Sequence, residues 1–144
     1  MQWSELKFGS VIFCKDFKFP DGGISDKLFI VIGLRDRSAV VAITTSQKPK
    51  TAIQPGCAAQ RNLFLLKRTA ANKLDLDTYV LLTGTRLGIL NPTMMDEKRW
   101  QGAAIKITLP EHDTHAIKNC AAYCEDVAPV YRALLGPKPA SKNK

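Results

Sequence analysis

Five short apolar runs, each bounded by glycine, proline or small polar residues, constrain this chain more than any other feature. They lie at residues 9–15, 28–32, 39–45, 62–66 and 78–82. All are rich in β-branched or aromatic residues and too short for stable helices, so they are predicted as strands. Leu28-Phe29-Ile30-Val31-Ile32 is apolar without interruption, which implies burial on both faces of a sheet. Residues 33–38 form a polar turn joining that run to the next as a hairpin. Pro20-Asp21-Gly22-Gly23 is strong turn chemistry, and residues 16–27 are expected to be a long mobile loop. Residues 46–57, with Pro49, Pro55 and Gly56, read as a second polar loop. Strands of this length and spacing predict a small barrel.

The last third reads differently. Asn91-Pro92 pairs a good N-cap with proline at the first helical position, predicting a short helix through Met94, Met95 and Trp100. Residues 105–109 alternate like an edge strand. From Asp113 onward, Ala116, Ile117, Cys120, Ala121 and Cys124 follow helical spacing, until Pro129 breaks the pattern ahead of a last short turn at 130–135. The expected class is mostly β with C-terminal helices (α+β). One domain is expected over residues 1–136, followed by a basic, disordered tail at 137–144.

A chain of 144 residues can bury a core without disulfides or metals. No apolar run approaches the roughly 20 residues that span a bilayer, and the first residues lack the pattern of a signal peptide. Cys14, Cys57, Cys120 and Cys124 form no Cys-x-x-Cys pair. Cys120 and Cys124, four apart, read as small apolar residues facing a core. Nothing in this usage calls for an oxidising compartment, so the chain is expected in the cytoplasm, without membrane contact.

The net charge is +8, and its distribution is more telling than its size. Between Asp36 and Asp75 there is no acidic residue, while Arg37, Lys48, Lys50, Arg61, Lys67, Arg68 and Lys73 all lie there. Such a run is either a solvated surface paired from elsewhere in the fold or a face for a polyanion such as RNA.

Phosphate-binding loops, dinucleotide glycine fingerprints and His-Glu-x-x-His are all missing. Glu111-His112-Asp113-Thr114-His115 is read as a polar helix start with Asp113 as cap rather than as a metal site. No metal and no cofactor are expected. The informative segment is Val40-Val41-Ala42-Ile43-Thr44-Thr45-Ser46-Gln47-Lys48-Pro49, where a buried strand ends in three hydroxyls, an amide and a lysine. Hydroxyls there either satisfy backbone groups or hold a phosphate oxygen.

In family order, four pieces of the chain resemble the MazF/PemK toxins of type II toxin–antitoxin systems. These are Gly9-Ser10-Val11-Ile12-Phe13 with Phe19-Pro20-Asp21-Gly22; Lys27-Leu28-Phe29-Ile30-Val31-Ile32; Ile43-Thr44-Thr45-Ser46-Gln47; and Asp77-Thr78-Tyr79-Val80-Leu81-Leu82. Together they span about residues 8 to 84. The resemblance implies an SH3-like barrel of the MazF/PemK/CcdB type that forms a homodimer. It also implies metal-independent cleavage of single-stranded RNA by attack of the RNA's own 2′-hydroxyl, and an antitoxin protein as partner. Thr44 falls at the family's threonine and Lys27 at its arginine, with Thr45 and Ser46 as assisting hydroxyls. Lys15, Lys18, Lys48, Lys50, Arg61, Arg68 and Arg86 would carry the RNA. Two departures stand out. Lysine lacks arginine's bidentate fork, and Val80-Leu81-Leu82-Thr83 lacks the charged pair that some members carry there, Arg86 being nearest. These leave a second reading open, a non-catalytic SH3-like barrel that binds nucleic acid or a protein partner.

Overall fold

Alternation of side chains across the strands builds two apolar layers from single runs of sequence. The computed structural model describes residues 1–19, 22–84 and 86–136. Its strands are β1 (Ser10–Lys18), β2 (Ile24–Arg35), β3 (Ser38–Thr45), β4 (Gly56–Ala58), β5 (Leu63–Leu66), β6 (Thr78–Leu81), β7 (Leu87–Leu90) and β8 (Ala103–Thr108). The helices are α1 (Pro92–Met95), α2 (Glu111–Tyr123) and α3 (Pro129–Leu135). All the described pairings are antiparallel, in the order β4-β5-β6-β3-β2-β1-β8, with β7 also paired to β3. The result is a mostly β, α+β architecture. No helix among the described residues is long and apolar enough to cross a membrane.

Ile30, Ile32, Val40 and Ala42 point to a core completed by β5, β6, α2 and α3, while Phe29, Val31, Ala39 and Val41 point to a second core with Met95 and Trp100. Strands β2 and β3 are therefore buried on both faces, which is why their runs are continuously apolar. Asp36 and Arg37 both adopt positive φ (51° and 62°) and join the two strands in a two-residue primed turn, tighter than the expected turn over 33–38.

The loop expected at 16–27 is instead mostly strand. β1 and β2 continue pairing to Lys18 and Ile24, past a register shift between Cys14 and Phe17. Asp16 sits at that shift with φ 54°, and its N–H donates to Asp26 Oδ1 at 2.9 Å. A bulge stabilised by its own aspartates is what the polar composition concealed. Of the expected turn, Pro20 and Asp21 lie outside the described residues, as does the basic tail at 137–144.

β4 and β7 were not expected, the first because it opens at the glycine of a polar loop, the second because Gly88 interrupts it. Asn91 caps α1 as expected, its Oδ1 accepting from Met94 N–H at 2.8 Å. That helix stops at Met95, and Trp100 lies in a separate 3₁₀ turn (Lys98–Trp100). α2 starts at Glu111, with Pro110 at the N-cap position and no side-chain cap. Asp113 thus lies inside its first turn rather than capping it. Arg132 of α3 donates through Nη1 to Ala122 O (2.6 Å) and through Nε to Val127 O (3.0 Å), supplying cationic donors where α2 ends.

Cys120 and Cys124 both face the core, as their spacing predicts. Cys120, however, is bonded to Cys57, tying edge strand β4 to α2 across 63 positions of sequence. Chain-distant pairing of this kind leaves no spacing signature. Cys14 and Cys124 are buried free thiols. Burial raises both, Cys124 to about 11.

Candidate functional site

A cleft of about 260 Å³ opens where the start of β2, the end of β3, β8 and the segment before β6 converge. Lys27, Thr44, Thr45 and Ser46 all line it, so the four residues singled out by sequence meet in one place. The register that sets Phe29 opposite Ile43 brings Leu28 alongside Thr44, and β6 meets the other edge of β3 at Thr44 and Thr45. The hydroxyls therefore emerge where β3 leaves the sheet.

Their chemistry differs. Thr44 is 4% exposed, and its hydroxyl donates to Leu28 O at 3.0 Å. That donor is spent on the backbone, leaving Thr44 only acceptor capacity toward the cleft. Thr45 Oγ1 accepts from Gln47 N–H at 3.1 Å, which leaves its own hydroxyl hydrogen free to donate. Ser46 is exposed.

Sequence reasoning missed Asp26, Lys73, Asp75 and Lys106, which also line the cleft. Lys106 Nζ lies 2.9 Å from Asp75 Oδ2, and this hydrogen bond holds the Asp75 carboxyl below its ordinary value. Lys27 and Lys73 form no ion pair among the described residues. The cleft is thus lined by two lysines without an ion pair among the described residues, beside a neutralised pair and one further acidic residue, Asp26. The segment presenting Lys73 and Asp75 is rigidified by Asn72, which is 2% exposed. Its amide donates to Lys67 O at 2.7 Å and accepts from the N–H groups of Thr69 (3.0 Å) and Leu74 (3.2 Å). Thr69 followed three residues later by Asn72 was the available signal, a self-bonding polar loop.

Of the seven residues expected to carry RNA, two stand beside the cleft. Arg68 donates through Nη1 to Asp75 O at 3.1 Å, and Lys48 is close enough to Asp77 to help lower its carboxyl, after the Lys67 hydrogen bond and the Arg68 N–H. Arg61 instead holds Thr51 O at 2.6 Å, and Lys15 and Lys50 are exposed away from the cleft lining. Lys18 and Arg86 border hollows lined from the other face of the sheet. Of the seven cations between Asp36 and Asp75, Arg37 has a positive φ of 62° at the hairpin tip, and among the described residues only Lys67 pairs with a carboxylate, Asp77, at 2.8 Å. The positive surplus read from the sequence therefore persists in the fold.

No family model matches this chain, and no characterised protein matches it either.

Proposed function

We propose that the cleft binds a phosphodiester of single-stranded RNA and cleaves it without a metal, as a toxin-type endoribonuclease. One observation carries this reading: Lys27, Thr45 and Ser46, chosen for phosphate chemistry, converge with Lys73, Lys106 and two carboxylates in a single cleft. In the reaction the RNA 2′-oxygen forms a bond to phosphorus as the bond to the 5′-oxygen breaks. The 2′-hydroxyl loses a proton and the leaving 5′-oxygen gains one. Positioning and charge stabilisation supply most of the rate. Lys27 and Lys73 neutralise the phosphoryl oxygens, while Thr45 and Ser46 donate to them. Asp26, whose Oδ1 already accepts from Asp16 N–H, keeps Oδ2 to accept the 2′-hydroxyl proton, since Asp75 is committed to Lys106. Thr44 acts as a positioning residue, fixing the end of β3 through Leu28.

An SH3-like barrel is the fold proposed for this chemistry. Its support is the Lys106–Asp75 contact, which brings β8, one end of the strand order, against the segment before β6. A homodimer and an antitoxin partner follow from the same family reading; a cytoplasmic setting is proposed with them, and the Cys57–Cys120 disulfide stands against it. The rival, a barrel that binds RNA without cutting it, draws support from the occupied Thr44 donor. Expression alone in a bacterial host separates them. Growth arrest that Lys27→Ala and Ser46→Ala both abolish supports the nuclease, whereas normal growth with wild-type protein folded and abundant contradicts it.

A further inference from the structure

On the opposite face of β2 and β3 lies a second hollow, of about 190 Å³, lined by aromatic and aliphatic side chains with two arginines. Leu28 and Thr44 line the cleft, whereas their neighbours Phe29 and Ile43 line this hollow, so the two sites lie back to back across the sheet. Phe17 is the hub of its wall. The Phe17 ring meets Phe19 (5.1 Å), Phe29 (4.9 Å) and Trp100 (5.1 Å) edge-on rather than stacked. Phe19, half-buried, has Phe17 as its single ring neighbour among the described residues, which leaves the rest of its ring for a guest.

Cations surround this wall. The Arg99 guanidinium lies 5.7 Å from the Phe17 ring centroid, with Glu97 at 3.2 Å as its carboxylate partner. Arg86 is exposed at the rim and has no ion pair or side-chain hydrogen bond among the described residues. Lys18 shares a neighbouring hollow with Phe19, Arg99 and Glu97. Among the described residues, three cations therefore face one carboxylate around this pocket. Within it, Trp100 is 6% exposed, and its indole N–H is buried with no acceptor among the described residues.

We infer that this hollow binds a planar heteroaromatic ring carrying a phosphate, as found in a nucleotide. The volume lies below the roughly 300 Å³ at which sites for drug-sized ligands begin, so it suits one ring system rather than an extended ligand. Aromatic side chains supply the faces on which a base stacks, and arginines hold the attached phosphate. Plain apolar packing explains Phe29 and Trp100 but not the unpaired Arg86 beside them. The same chemistry is presented by a free mononucleotide and by one unstacked base of a single strand. This inference does not depend on cleavage at the other face.

The test is the indole ¹⁵N–¹H spectrum of the full chain, in which Trp100→Phe assigns the Trp100 signal. Adenosine 5′-monophosphate, an eight-residue oligoadenylate and ribose 5-phosphate are titrated separately. The mononucleotide, the oligomer or both are expected to shift the Trp100 signal saturably, and ribose 5-phosphate to leave it in place. A response to the mononucleotide identifies a free-nucleotide site, and a response to the oligomer alone identifies a strand-binding one. Gly88→Val tests the location. Gly88 lines the hollow, and a Cβ there meets only Val41 Cγ2 at 3.6 Å, an ordinary contact in a strand. The added side chain is expected to weaken binding on the order of tenfold or more, and Arg86→Ala to weaken the phosphate-bearing ligands while the backbone spectrum stays folded. No response to either ligand, an equal response to ribose 5-phosphate, or undiminished binding in Gly88→Val would overturn the inference. So would a concentration-dependent dimer that Gly88→Val breaks and nucleotides leave intact, because the hollow would then be covered by a second copy.

Discussion

Thr44 donates its hydroxyl hydrogen to Leu28 O at 3.0 Å, so the residue placed by sequence at the reacting phosphate is bonded to the neighbouring strand. Thr45 and Ser46, next along the chain, carry the hydroxyls that remain available at the cleft.

This division of labour has a measurable consequence. Thr44→Val removes a donor from a backbone carbonyl and is expected to cost about 1–2 kcal/mol of stability, with less than tenfold loss of cleavage once folded. Thr45→Val and Ser46→Ala are expected to cost about 100- to 1000-fold in rate if each donates to the phosphoryl oxygen in the transition state. Urea melts beside single-turnover rates separate the two effects. A 100-fold loss in Thr44→Val with unchanged stability would return the donor role to Thr44.

RNA affinity is expected to fall steeply with salt, because lysine and arginine contacts release counterions from phosphates. Lys48→Ala and Arg68→Ala, which stand beside the cleft through Asp77 and Asp75, should each reduce the slope of log K against log salt by about one contact's worth, and Lys50→Ala, for which no such contact is seen, by less. Filter-binding titrations at several salt concentrations read this. Equal slopes in all three variants would place the RNA elsewhere on the basic surface.

The Cys57–Cys120 bond closes a long loop and pins the three-residue strand β4 to α2. Reduction, or Cys57→Ser, is expected to lower stability by about 2–4 kcal/mol. Cys14 and Cys124, buried and with raised thiols, should resist alkylation until the chain unfolds. Mass spectrometry after alkylation should therefore find no rapidly labelled cysteine in the native oxidised protein and two in the denatured one. Four labelled cysteines in denaturant without reductant would show that the bond does not form.

Acid should weaken the frame of the cleft. Hydrogen bonds from Lys106 and Lys67 hold Asp75 and Asp77 below their ordinary 3.8. A carboxylate depressed in the folded state adds stability that is fully present above its unfolded value and fades as pH falls through the folded value. The difference in Tm between wild type and Asp77→Asn is thus expected to be constant from neutral pH down to about 5 and to shrink below about 4. Both aspartates are exposed, so the effect should be small and reduced by salt. A difference that grows on acidification would contradict the assignment.

Much of the sheet was legible because alternation and β-branched runs report burial directly: β2, β3, β5 and β6 fall where their apolar stretches lie. The β1–β2 ribbon was not, because Asp16 and Asp26 stabilise its bulge in a stretch whose polar composition resembles a loop. At the cleft, Lys27, Thr44, Thr45 and Ser46 were visible as a strand start and a strand end. Lys73, Asp75 and Lys106 were not, since only the approach of β8 to the segment before β6 gathers them, and Asp26 was not because its stretch read as a loop. Lys18 was singled out for charge and Arg86 as the residue nearest the missing charged pair, and the sheet separates both from the cleft by placing them at hollows on its other face.

The most direct test is incubation of the purified chain with mixed-sequence single-stranded RNA in excess EDTA, followed by analysis of the product ends. The expected result is cleavage leaving a 2′,3′-cyclic phosphate and a 5′-hydroxyl. Lys27→Ala and Asp26→Asn should abolish it, and Lys27→Arg should retain or raise it, because the guanidinium fork can hold two phosphate oxygens at once. Intact RNA with both wild type and Lys27→Arg, or cleavage that stops on chelation and leaves a 3′-hydroxyl, would contradict a metal-independent nuclease at this cleft.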